Sequence, residues 1–88
     1  MWYLIAGTRG GKTRARILNA LLDRPYNANQ LTEVLSLDYK TIKHHLEVLR
    51  KNNLIEAEGE KYGMIYFPSS TMEASLEEFN KILKKMDT

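Results

Sequence analysis

The stretch NQLTEVLSLDYKTIKHHLEVLRKNNLI, residues 29–55, decides the reading of this chain. Leu31, Val34 and Leu35 recur at helical spacing, then Ser36, Leu37 and Asp38 interrupt the period. Asn27 and Gln30 stand three residues apart, as in a capping box, so a short helix starts there and ends near Ser36. Asp38 is a good N-cap for a second, longer helix from Tyr39 to Lys51 or Asn52, with Ile42, Leu46 and Leu49 as its buried stripe. Asn53 stands where that helix must stop, and asparagine tolerates the left-handed backbone of such a stop. A short helix, a tight turn and a longer helix make a helix-turn-helix.

Upstream, Ile17, Leu18, Leu21 and Leu22 define a helix from about Gly11 to Arg24, which Pro25 ends. Downstream the period changes to two. NLIEAEG and GMIYFP predict two strands joined by a turn around Glu60 and Lys61, and Pro68 closes the hairpin. A last helix runs from Ser70 or Thr71 to about Met86. The expected fold is therefore α+β and mainly α: a winged helix-turn-helix of three helices and a two-stranded wing over residues 1–69, then a C-terminal helix over 70–88. The apolar MWYLI is expected either to add a strand beside the wing or to join a dimer interface.

The formal charge of +2 is unevenly spread. Through Asn53 there are nine basic residues against four acidic, a net of +5; from Leu54 onward four basic stand against seven acidic, a net of −3. The front part suits an anionic partner and the rear part does not. There is no cysteine, which excludes disulfides and thiolate metal sites. The opening apolar run is too short for a membrane span, so a cytoplasmic protein without membrane association is expected.

Ala6 to Thr13, AGTRGGKT, looks like a nucleotide-binding loop. That loop works only at the end of a parallel strand, with a second strand delivering an acid to Mg²⁺. No apolar run ending in Asp follows at the required distance, and the later strands form a hairpin. Gly10 and Gly11 are read instead as a turn feeding the helix that starts at Gly11, and no nucleotide is expected.

On the 39–52 helix, about 100° per residue places Lys40, His44, Glu47 and Lys51 opposite the apolar stripe, with Lys43 on the flank and His45 facing inward. In DNA-binding helix-turn-helix proteins the second helix enters the major groove, and its first turn reaches the bases. Tyr39, Lys40, Thr41, Lys43 and His44 are the candidates for base edges. Lys40, Lys43, Arg50 and Lys51, with Arg14 or Arg16 from the preceding helix, are the candidates for phosphates. On the wing Lys61 is the one cation, flanked by Glu56, Glu58 and Glu60.

TIKHHLEVLRKNNLI resembles the signature of ArsR-like winged-helix regulators. Thr41, Ile42, Lys43, His44, His45, Leu46, Leu49, Leu54 and Ile55 take the places of the pattern, and Asn53 stands where that family usually has glycine. The stretch from Gly7 to Leu49 is also similar to short winged-helix proteins of archaea. The resemblance implies sequence-specific binding of double-stranded DNA and transcription regulation. The competing reading is a winged-helix protein-interaction module without DNA binding, which the acidic wing favours. The metal-sensing members of that family use cysteines or acid and histidine clusters, none recognisable here. His44 and His45 are adjacent and point apart, so no metal or other cofactor is expected. No nucleophile–base set or placed carboxylate pair is legible, so no enzyme is expected.

Met72, Leu76, Phe79, Leu83 and Met86 repeat as a heptad seam, widened by Ile82. Such a stripe packs either on its own domain or on a second copy. A domain of 88 residues buries a limited core, which favours a homodimer through this seam.

Overall fold

The computed structural model describes residues 1–86, apart from the side chain of Tyr62. The last two positions of the 70–88 segment, Asp87 and Thr88, lie outside the described residues.

The N-terminal apolar residues form a helical turn, α1 (Trp2–Ile5), rather than a strand. Ile5 is buried, while Trp2 and Tyr3 are exposed. The helix α2 (Gly11–Asp23) starts at an N-cap Gly10 and buries Ala15, Ile17, Leu18 and Leu21. Arg24 is extended before Pro25, and the strand β1 (Tyr26–Asn27) follows. The helix α3 (Ala28–Leu35) carries the anticipated capping box: the Asn27 side chain accepts from the Gln30 amide at 2.7 Å, and the Gln30 side chain accepts from the Asn27 amide at 2.8 Å. Ser36 ends α3 with φ +55°. After the turn, α4 (Tyr39–Lys51) buries Ile42, His45, Leu46 and Leu49, and Asn53 turns the chain out with φ +59°.

The strands β2 (Ile55–Glu58) and β3 (Ile65–Pro68) pair antiparallel across a 3-10 turn at Lys61–Gly63. β1 joins the other edge of β3, with Tyr26 opposite Tyr66, so the sheet has the order β1-β3-β2. Two residues carry no period, which is why this third strand was absent from the sequence reading. An antiparallel sheet of this kind offers no strand end to a phosphate-binding loop. Gly11 of AGTRGGKT has a packing role instead: a Cβ there would lie 1.6 Å from the Ile5 carbonyl oxygen.

The C-terminal helix is broken into α5 (Ser70–Glu73) and α6 (Leu76–Met86). The buried Ser69 hydroxyl caps α5 by accepting from the Met72 amide at 3.0 Å, and donates to the Asn53 carbonyl at 2.6 Å. The break overturns the single heptad seam. Met72, Phe79 and Ile82 are fully buried and belong to the same core as Leu18, Ile42 and Leu49. Ala74 and Ser75 interrupt the helix, and Met72 and Phe79 of the stripe pack onto their own domain. Leu76 is exposed, and Leu83 and Met86 are half-buried beside α2.

Candidate nucleic-acid interface

Packing orients α4. Ile42, Leu46 and Leu49 are fully buried, so the opposite side of the helix faces out. Tyr39, Lys40, His44, Glu47, Arg50 and Lys51 are exposed, and Thr41 and Lys43 are half-buried. The expected polar face therefore exists on one helix, with its two half-buried members held by specific partners.

Thr41 is held at the helix start. Its amide donates to the Asp38 carboxylate at 3.4 Å, and its hydroxyl donates to the same carboxylate. The hydroxyl contact is the main reason the Asp38 carboxyl titrates below its ordinary value. A negative charge thus stays at the first turn, next to Lys40. Lys43 is held by the wing. Its ammonium donates to the Tyr66 hydroxyl at 3.2 Å and lies 5.9 Å from the centre of that ring. That hydrogen bond raises the lysine's pKa above its ordinary value. Tyr66 is buried on β3, the middle strand, and the sequence reading missed it. The alternation in MIYFP was the available signal, but it could not say which residue of α4 the inward tyrosine would meet.

Arg50 approaches the Met64 sulfur at 3.8 Å, on the side of α4 nearest the wing. Lys61 is exposed at the wing tip with φ +50°, and Glu56, Glu58 and Glu60 are exposed around it.

The two α2 arginines differ. Arg16 is exposed but donates to the Leu35 carbonyl at 2.7 Å, which satisfies an acceptor at the end of α3. Arg14 corrects the expectation of a phosphate contact: it is buried, and its guanidinium points inward to Leu4, Thr8 and His45. The two positions are two residues apart, about 200° around the helix, so they face opposite ways, and the α1–α2 corner covers the Arg14 side. The His45 ring is buried as the helical projection anticipated, and the His44 ring stands edge-on to it at 63°. Among the described residues no group of three or more His, Cys, Asp or Glu is gathered to hold a metal ion, and no helix is long and apolar enough to cross a membrane.

Residues 11–57 match the family model described as "Bacterial regulatory protein, arsR family". No curated protein matches the chain. Solved structures of similar fold include the reduced form of the transcriptional regulator YodB from B. subtilis, at TM-score 0.76 and 20% identity over 97% of this chain and 84% of that one. The transcriptional regulator homologue from Pyrococcus horikoshii OT3 superposes at TM-score 0.72 and 22% identity, covering 88% and 82%. Reduced HlyU from Vibrio cholerae N16961 gives TM-score 0.68 and 26% identity, covering 81% and 76%.

Proposed function

The chain belongs to the arsR family of bacterial regulatory proteins, and on that premise we propose that it is a transcription regulator that binds double-stranded DNA as a homodimer, with α4 in the major groove. The observation that carries this reading is the outward face of α4: Lys40, His44 and Lys51 exposed opposite three fully buried aliphatics, with Tyr39 exposed at the helix start. Lys40, Arg50 and Lys51 contact phosphates, and Tyr39, Lys40 and His44 reach base edges. Thr41 and Lys43 contribute from fixed positions, Lys43 as a cation tethered to Tyr66. Lys61 adds one contact at the wing tip.

The dimer surface consists of what α1 and α6 leave exposed. Phe79 and Ile82 define the inward side of α6. Leu76, Glu77, Asn80 and Lys84 are exposed on other sides, and Trp2 and Tyr3 are exposed on α1. Glu77 and Lys84 are seven residues apart, two helical turns, so an antiparallel mate places each acid against the other copy's lysine. Two α4 helices then face an inverted repeat with half-sites about 34 Å apart.

A salt-titrated binding assay on duplex DNA tests the function. Binding that weakens steeply with salt and prefers a defined inverted repeat is expected. The exposed Glu56, Glu58 and Glu60 of the wing favour the rival, a protein-interaction module. Absence of duplex binding at low salt would select it.

A further inference from the structure

Arg14 is a buried cation with no place on the DNA face. A guanidinium only donates, and here each arm has an acceptor. Nε donates to the Leu4 carbonyl at 2.8 Å, Nη2 to the Thr8 hydroxyl, and Nη1 lies 3.1 Å from Nδ1 of His45. Thr8 in turn donates to the Leu4 carbonyl at 3.1 Å. Two of the three acceptors belong to α1 and the turn after it, and the third sits in the middle of α4. One planar group thus joins the N-terminal corner to the helix that faces DNA.

The arginine does not lose its proton, so the imidazole nitrogen facing it must offer a lone pair. His45 is therefore neutral, with its proton on Nε2. The charges acting on it are Arg14 from α2 and His44 from its own helix, and both oppose a second positive charge. Arg9 and Lys12, on the same corner, are exposed and carry the same sign. The contact is also closely fitted: a Cβ on Gly10 would come within 2.6 Å of His45 Cε1 and 2.7 Å of Arg14 Nη1.

We propose that Arg14 is a positioning residue for the DNA-reading helix: through the unprotonated Nδ1 of His45 it fastens α4 to the α1–α2 corner, and a proton on that nitrogen releases the fastening. The proposal rests on the reading of α4 as the helix that enters DNA. It also links the two proposed surfaces, since α1 contributes Trp2 and Tyr3 to the dimer face.

The test uses the full chain carrying His44→Gln. The protein has two histidines, so His45 is then the sole imidazole. Affinity for duplex DNA is measured at about pH 7.5 and about pH 5.5, on either side of an ordinary histidine pKa. The parent is expected to lose affinity on acidification relative to the same protein with His45→Asn, whose amide oxygen replaces the Nδ1 acceptor and does not titrate. Arg14→Leu is expected to bind about tenfold more weakly at the higher pH, the effect of one charge-assisted hydrogen bond. Ring nitrogen shifts in the free protein supply a readout independent of DNA: the proton should sit on Nε2, and Arg14→Leu should release that preference. If Arg14→Leu fails to fold, His45→Asn carries the test alone. A pH profile as steep in His45→Asn as in the parent, or a proton on Nδ1, overturns the proposal. If the wild-type chain with His44 in place binds no duplex at either pH while the Nε2 preference is present and depends on Arg14, the DNA reading falls and the fastening stands.

Discussion

The Lys43 ammonium donates to the Tyr66 hydroxyl at 3.2 Å, and this bond ties the middle of α4 to β3, the wing strand at the centre of the sheet. Lys43 is thus a bracket as well as a charge. Tyr66→Phe keeps the buried ring and deletes the acceptor. We expect a loss of about 1 kcal/mol in stability, a typical net hydrogen-bond contribution, read as a lower urea midpoint. DNA binding should weaken in the same variant although Tyr66 itself is buried.

Lys40 is exposed, and among the described residues no side-chain hydrogen bond holds it to a second element, so its effect on DNA should be electrostatic. Lys40→Ala is expected to lower the slope of log affinity against log salt by about one unit. An unchanged slope would place Lys40 away from the phosphates.

Gly11 and Gly63 give opposite expectations. A Cβ at Gly11 meets the Ile5 carbonyl at 1.6 Å, a backbone atom that cannot step aside. Gly11→Ala should destabilise by about 3 kcal/mol, at the upper end of ordinary overpacking. At Gly63 an added Cβ meets nothing within 4 Å, and Gly63→Ala should be neutral or stabilise by up to about 1 kcal/mol. Thermal midpoints of the two variants decide this.

Phe79 and Leu76 separate core from dimer. Phe79→Ala should cost about 3–5 kcal/mol, because the ring is fully buried in the domain. Leu76→Glu places a charge on an exposed position and should leave the fold intact. Light scattering should show a wild-type dimer and a Leu76→Glu monomer. A wild-type monomer at tens of micromolar would remove the dimer from the proposal.

Burial, then the positive charge of Arg14, then that of His44, hold the His45 pKa below 6.5. The unfolded chain therefore takes up a proton before the folded one does. The stability that depends on neutral His45 is complete above 6.5 and is lost as pH falls toward and through the folded value. Urea midpoints in the His44→Gln background should fall on acidification through this window, and His45→Asn should flatten that part of the curve.

What the sequence determined by itself lies within short spans of chain. The helix-turn-helix was legible because caps and periods are local. Asn27 with Gln30, Asp38, and Asn53 each set a backbone state through neighbours a few residues away, and Ile42, Leu46 and Leu49 mark one side of a helix without reference to anything else. The outward group of Lys40, His44, Glu47 and Lys51 follows from the same period. Only the tertiary structure decided the rest, because it depends on what lies across a gap in the chain. Arg14 and Arg16 look alike in KTRARIL, yet one is buried against Thr8 and His45 while the other reaches Leu35 from the surface. Lys43 meets Tyr66 from 23 residues away. The heptad from Met72 to Met86 promised one stripe, but Ser69 caps a single turn, the helix is interrupted at Ala74 and Ser75, and Met72 and Phe79 enter the core. A period states which residues share a side of a helix; it does not state where the helix ends its turn or what the side will face.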